Sequence, residues 1–334
     1  MNWRTWRWTA AAIGLGVAVA VPGAGGLAQT PAAAEPLRVV ATFSVLGDLV
    51  DRVGGDAIDL RTIVAAGADA HTFEPAPDDA IALGEADLVF ANGIGFEPWL
   101  DELAEGADEP LPIVVVTDGI ELREAGDAPH PDEGDVGPPA EGETHADAAA
   151  SDHDRGAFDP HVWHDVRNAM AMTEAIRDAL IAADPANADL YQANAATLLA
   201  ELETLDAWVV EQVATLPEDR RKLVTSHDTF GYFADRYGFE VVGTALDSAS
   251  TEGGGPSARE IAELVERIEA AGVPAIFAEN VQNPEVMEAV AEEAGVSLAP
   301  PLSTDALGAP GSGADSYEGM VRSNVETIVA ALGG

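Results

Sequence analysis

Histidine and carboxylate are the side chains through which this sequence can hold a transition-metal ion, because it contains no cysteine. Seven histidines occur. Three of them, His130, His145 and His153, lie in one stretch, 124–154, which holds ten Asp and Glu and no Lys or Arg. The other four are His71, His161, His164 and His227. His227 follows directly on a strand-like run, Lys222-Leu223-Val224-Thr225, at the carboxyl end where α/β proteins place their ligands. His71 falls in a loop after an apolar run ending at Val64, and Asp305 in a loop after a short run at Leu298, beside Gly308 and Pro310. Each residue alone also has a plainer reading. A histidine beside a strand is most often an ordinary hydrogen-bonded residue, Asp159-Pro160-His161 reads equally well as a turn, and Asp305 as a cap. Spacing does not bring them together, since 234 residues separate His71 from Asp305.

The elements that would have to position these side chains alternate in type. Strand signals at 37–43, 60–64, 86–91 and 113–117 are interleaved with helical ones at 45–53 and around Trp99, the pattern of βα units and a mainly parallel sheet. The acidic stretch follows, too polar to pack and read as a surface loop. Residues 185–216 then form one long helical pattern, with Leu190, Asn194, Leu198, Leu202, Leu205, Val209, Gln212 and Leu216 along one stripe. Asp184 is the expected cap, Pro185 the first helical residue and Pro217 the stop; the helix would be roughly 45 Å long at 1.5 Å per residue. A second set begins with strands at 222–225 and 239–242 around a helix at 229–237. A helix at 257–271 capped by Ser257, a strand at 275–278, a helix at 284–294, a strand at 297–299 and a helix at 317–331 complete it. The expected fold is α/β, with two lobes, each a mainly parallel sheet flanked by helices, joined by one long rigid helix. The expected domains are a signal peptide at 1–28, a first lobe at 29–184, a linking helix at 185–216 and a second lobe at 217–334.

A formal charge of −43, with Lys222 as the single lysine, excludes nucleic acid and anionic lipid headgroups as partners. The same acidity fits the collection of cations, a salty habitat or plain solubility. Arg4 and Arg7, the apolar run 10–21 and the small residues up to Ala28 read as an export signal cleaved before Gln29. Without cysteine there is neither disulfide nor the residue that carries a bacterial lipid anchor. The expectation is therefore a soluble monomer in the periplasm.

Four segments in order, His71-Thr72-Phe73-Glu74-Pro75, Asp159-Pro160-His161-Val162-Trp163, 225–233 (TSHDTFGYF) and 303–308 (STDALG), resemble the zinc- and manganese-type solute-binding proteins of ABC importers. The resemblance runs from about Leu37 to the end. It implies that His71 and His161 from the first lobe and His227 and Asp305 from the second bind one divalent metal in the cleft between the lobes. Three imidazoles and one carboxylate suit Zn²⁺, with bonds of about 2.0–2.2 Å. Manganese-type members typically carry Glu where His227 stands, so Zn²⁺ is favoured and Mn²⁺ is the alternative cargo. The acidic loop with His130, His145 and His153 resembles the His-bearing loop of zinc-type members; a collection site and a solvated linker are equally good readings of it. His164 stands where the family usually has an apolar residue and is read as an exposed residue at a helix start. Gly255 falls where the family commonly has Glu, which leaves a local hydrogen bond in question. Glu74 and Glu279 are expected to orient an imidazole rather than to ligate.

The function this implies is not catalysis. It is the capture of Zn²⁺ outside the cytoplasm and its delivery to an ABC importer permease and its ATPase. The competing readings are a Mn²⁺-binding importer component, a soluble zinc chaperone, a surface adhesin and an exported zinc hydrolase. The last is disfavoured by the absence of an HExxH run and by a fourth ligand that would close the metal.

Overall fold

Val39, Val40, Ala41 and Phe43 in Leu37–Phe43 (β1) are all buried, a run without polar alternation that suits a strand covered on both faces. The computed structural model describes residues 36–107, 109–125, 157–246 and 255–333. The signal reading of 1–28 and the three loop histidines, His130, His145 and His153, lie outside the described residues. β1 leads into Ser44–Gly54 (α1) and returns as Ile58–Val64 (β2). Pro77–Glu85 (α2) leads to Leu88–Ala91 (β3), and Pro98–Gly106 (α3) to Ile113–Val115 (β4). All pairings are parallel and the order is β2-β1-β3-β4. The order reverses at β1 and β3, so their carboxyl ends open the crevice where such sheets bind ligands.

Val166–Ala183 (α4) and Ala188–Val213 (α5) follow. The second half repeats the plan with Lys222–Thr225 (β5), Gly231–Tyr237 (α6), Glu240–Thr244 (β6), Ala258–Ala271 (α7), Ala275–Glu279 (β7), Glu285–Ala294 (α8), Ser297–Leu302 (β8) and Tyr317–Gly333 (α9). β5 pairs with β6 and β7 with β8, both in parallel, and β5 runs beside β7. This is the α/β architecture expected, with all strands paired in parallel: one four-stranded sheet in the first half and two two-stranded sheets side by side in the second.

The long helix differs at its start. Pro185–Asn187 is a 3-10 turn and α5 begins at Ala188. The Asp184 carboxylate accepts from the Asn187 amide (2.6 Å) and the Tyr191 hydroxyl (2.9 Å), pinning the turn to the first helical residues. With 26 residues, α5 is roughly 39 Å long. It packs on α1, α4 and α9, and so touches both halves. At its far end three adjacent cations close helix ends, where exposed carbonyls favour positive charge. Arg220 donates to the carbonyls of Leu332 and Gly333, Arg221 to that of Leu216, and Lys222 to that of Ala271.

The seam between the halves is bonded along its length. The Trp163 indole N–H donates to the Thr304 carbonyl (3.0 Å), and the Tyr317 hydroxyl donates to the Trp163 carbonyl (2.7 Å). The Leu307 N–H donates to Ser44 Oγ, and the Gly67 N–H to the Leu307 carbonyl. Three of these contacts fasten the 303–308 loop, which carries Asp305, against the start of α1, the loop after β2 and the turn at Trp163.

Candidate metal centre

Each of the four side chains singled out by sequence comes off the carboxyl end of a strand or a turn held by buried polar groups. His71 follows β2. Its N–H donates to Asp69 Oδ1 (2.8 Å), and its ring stands edge-on to Phe96, 4.7 Å between centroids. Phe96 is wedged there by unusual backbone: Gly93, Ile94 and Gly95 all have positive φ. At Ile94 that conformation costs about 1 kcal/mol or more. A side chain at Gly93 would also strike Val115. Strain of this kind persists only where the surroundings enforce it, and it lies one residue from the aromatic wall of the centre.

His161 is fixed by Asp159. One carboxylate oxygen accepts both the His161 backbone N–H (3.0 Å) and its ring Nδ1–H (2.8 Å). A carboxylate can only accept, so Nδ1 carries a proton, and Nε2 is the ring nitrogen that faces the cluster. His227 follows β5. Its Nδ1 lies 2.5 Å from Glu279 Oε2, a charge contact that is close but not aligned as a hydrogen bond. Glu279 Oε1 accepts the backbone N–H of Ser226 (2.8 Å) and His227 (3.0 Å). Asp305 sits in the loop after β8, where Asn280 holds the flanking backbone at Thr304 and Ala306.

These elements converge. One donor atom from each of His71, His161, His227 and Asp305 lies within 4.8 Å of all the others, and all four residues are buried. His71 Nε2 and His161 Nε2 are 3.2 Å apart. Asp305 Oδ2 is 3.2 Å from His227 Nε2 and 3.8 Å from His71 Nε2, and Asp305 Oδ1 is 3.5 Å from His161 Nε2. Both Asp305 oxygens and His227 Nε2 are buried without a hydrogen-bond partner in the protein. Buried polar atoms without partners are costly, and together these outline a place for a cation.

Charge is arranged unevenly around that place. Burial pushes the His71 imidazolium down to about 3, so His71 is neutral at ordinary pH. Burial also disfavours charge on His227, but Glu279 and Asp305 outweigh it and raise its pKa well above the usual value. Burial would raise Asp305, yet His227 and His161 hold it far below the carboxylate range. Asp159 is likewise lowered against its burial, by the His161 contacts and by Arg123. Arg123 reaches Asp159 Oδ2 (3.4 Å) and Asp235 of α6 (3.1 Å), and its backbone N–H donates to the Tyr232 hydroxyl.

The residues named beside the four fall out differently. Glu279 backs His227, as expected. Glu74 is exposed and stands outside the cluster. His164 is not exposed. It ends the 3-10 turn Val162–His164 ahead of α4, is 3 % exposed, and burial pushes it down to about 3. Its Nε2 lies 3.2 Å from Thr229 Oγ1. Gly255 is exposed. Asp159 and Arg123 were not singled out by sequence. The Asp-Pro-His spacing carried the signal for Asp159, whereas Arg123 is placed by the chain's return across 36 positions.

Comparison with known proteins places the chain among metal-binding relatives. The family described as zinc-uptake complex component A, periplasmic, matches residues 39–331. The manganese-binding lipoprotein MntA of Halalkalibacterium halodurans is 35% identical over 298 residues, covering 89% of each chain. The manganese ABC transporter substrate-binding lipoprotein PsaA of Streptococcus pneumoniae is 30% identical over 310 residues, covering 91% of each. Among solved structures, the periplasmic zinc-binding protein TroA from Treponema pallidum superposes with a TM-score of 0.75 at 29% identity, over 89% of this chain and 99% of that one. The lipoprotein relatives overturn the expectation of a soluble periplasmic protein. They match nearly the whole chain, and the lack of a cysteine speaks to one attachment chemistry without setting the protein free in solution. The chain belongs to the family of zinc-uptake complex component A, the extracytoplasmic metal-binding components that serve the permease and ATPase of ABC importers, and is not an enzyme.

Proposed function

We propose that the protein captures Zn²⁺ and hands it to its importer, with His71, His161, His227 and Asp305 as the four ligands. The observation that carries this reading is the convergence of three imidazole nitrogens and one carboxylate in a buried cluster. A tetrahedral zinc ion with bonds of about 2.0–2.1 Å sets its ligand atoms roughly 3.3–3.4 Å apart. Four separations among these atoms, 3.2, 3.2, 3.5 and 3.8 Å, taken to one or the other Asp305 oxygen, lie near that value, and the whole donor set falls within 4.8 Å. A nitrogen-rich set also favours Zn²⁺ over Mn²⁺ on the affinity order of divalent ions. In this reading a first lobe (29–184) supplies His71 and His161 and a second (217–334) supplies His227 and Asp305. The helix within 185–216 limits their relative motion, so a monomer captures its cargo by loop rearrangement and not by wide closure.

Manganese is the second reading. Both relatives described above are named for it, and both Asp305 oxygens face imidazole nitrogens, so a carboxylate binding through both would give Mn²⁺ a fifth donor. Competition titrations on metal-stripped protein decide between them. One Zn²⁺ per chain, bound more tightly than Mn²⁺, is expected, and His227→Glu should narrow the gap. A Mn²⁺ preference in the unaltered protein would sink the zinc assignment. Full affinity in both His71→Ala and Asp305→Ala would sink the ligand set.

A further inference from the structure

We propose that His164 is a positioning residue of the metal centre: it ties the turn carrying His161 to the turn carrying His227 and so sets the separation of the two halves of the donor set. The inference rests on the ligand assignment above and adds to it a residue that is not one of the four proposed ligands.

On the side of the first half, His164 closes the 3-10 turn that begins at His161, its backbone N–H directed at the His161 carbonyl (3.4 Å). The turn is thus a rigid arm one helical turn long, with a proposed ligand at one end and an imidazole at the other. On the side of the second half, that imidazole meets Thr229 Oγ1 at 3.2 Å. Thr229 is wholly buried and lies two residues after His227, whose carbonyl in turn accepts from the Thr225 hydroxyl (2.9 Å). The His164 ring also lies over Phe230, with centroids 4.7 Å apart and planes 31° from parallel, and beside Trp163 at 5.6 Å. The ring therefore fills the seam between the two turns and bonds across it.

Packing alone does not explain an imidazole at this position. Between Phe230 and Trp163 an apolar ring of similar size would fill the space without a polar atom to satisfy, whereas a buried imidazole is penalised unless it is bonded. The bond to Thr229 is what the polar ring adds, and it joins the His161 and His227 backbones by a short, stiff path. A second link spans the same seam on another side, where the Tyr232 hydroxyl donates to the Asp159 carbonyl (3.1 Å). With that link intact, loss of His164 should loosen the centre without dismantling it.

The test uses the full chain, stripped of metal, as wild type, His164→Phe, His164→Gln, Thr229→Val and the His164→Phe/Thr229→Val double variant. Zn²⁺ affinity is measured by chelator competition, and ligand geometry by the visible absorption of bound Co²⁺. His164→Phe and Thr229→Val should each weaken Zn²⁺ binding by about tenfold, the scale of losing an orienting partner, and alter the Co²⁺ band pattern. The double variant should be no weaker than either single one, and His164→Gln, whose amide reaches as far as Nε2, should recover part of both signals. Wild-type affinity and spectrum in Thr229→Val overturn the proposal, as do additive losses in the double variant. If His164→Phe does not fold, Thr229→Val and His164→Gln carry the decision. If the wild type itself binds neither Zn²⁺ nor Co²⁺, the ligand assignment fails instead.

Discussion

In the first sheet, Glu97 is buried beneath the ends of β1 and β3 and accepts from the Thr42 hydroxyl (2.6 Å) and from the consecutive backbone N–H groups of Asn92 (2.8 Å) and Gly93 (3.0 Å). In the second half, Glu279 at the end of β7 accepts from the Thr304 hydroxyl (3.2 Å) and from the consecutive N–H groups of Ser226 and His227. Both are one hydroxyl and two successive backbone donors gathered on a buried carboxylate at the carboxyl end of a parallel strand. The difference is the fourth neighbour. Glu279 also meets the His227 ring, while Glu97 meets no member of the metal cluster. The same brace thus serves as pure scaffold on one side and, by sharing an oxygen with an imidazole, becomes part of the centre on the other.

The largest expected consequence of that difference lies in pH. Burial pushes Glu97 from its ordinary 4.5 up to about 7, against the pull of its three donors. A carboxyl whose folded pKa is raised stabilises the fold fully below the unfolded value and loses that contribution as pH rises through the folded one. The window is therefore pH 4.5 to 7, and at 1.36 kcal/mol per unit the contribution is about 3 kcal/mol at most. Denaturant unfolding of metal-free Glu97→Gln and wild type across this range should give stabilities whose difference shifts in favour of the variant as pH rises. Parallel curves would mean that Glu97 is already ionised below the window and would remove the contrast with Glu279.

Substitution of the second brace should act on the cargo instead. Glu279→Gln takes the charge from behind His227, and such orienting partners typically contribute 10–100-fold to metal affinity. Zn²⁺ competition should show a loss in that range for Glu279→Gln, and little change for Glu97→Gln at pH 7.5. Equal losses in the two variants would show that affinity follows general stability, and the comparison would break.

Much of this fold is legible in the chain because long apolar runs such as 37–43 have one good use, a doubly covered strand. Ser257 with Glu260 three residues on marks its helix start locally. Two helices escape the same reading although local signals exist for both. α2 has Pro77 at its first position and Asp79 reaching back to the Ala76 N–H, and α4 has Asp165 as an N-cap with Ala169, Met172, Ile176 and Leu180 on its buried face. The ligand types are readable from absent cysteine and placed histidine, but their meeting point is not. It depends on parallel pairing across hundreds of residues, and only the resemblance of four segments supplied it. The burial of His164 is hidden from the sequence for a related reason. Its exposure is decided by α6 folding over the 3-10 turn from another part of the chain, not by its neighbours in sequence.

Gly231 offers a way to disturb the first-half brace of His161 without touching a charge. A Cβ there would lie 2.4 Å from Arg123 Nη1 and 2.5 Å from Asp159 Oδ2. The colliding atoms are side-chain ends that can shift, so Gly231→Ala should destabilise by about 1 kcal/mol, the low end of overpacking. The shift moves Arg123 off Asp159, so Zn²⁺ affinity should fall by a few-fold as well. Unchanged melting and unchanged affinity together would show that the Arg123–Asp159 contact yields without consequence.

The smallest effect belongs to a site far from either brace, and it tests whether affinity can be separated from stability at all. Ser257 caps α7: its Oγ accepts the Glu260 N–H, and the Glu260 carboxylate accepts the Ser257 N–H in return. The helix lays Leu264, Val265 and Ile268 against the second half but lends nothing to the metal cluster. Ser257→Ala removes one acceptor at an exposed helix start, which typically costs 0.5 to about 1 kcal/mol. Thermal unfolding should register that loss while the Zn²⁺ isotherm stays superimposable on wild type. A cap variant that weakened zinc in proportion to its instability would mean that the centre samples local unfolding of the whole second half. The affinity loss in Glu279→Gln would then have to be corrected for stability before it could be assigned to the imidazole.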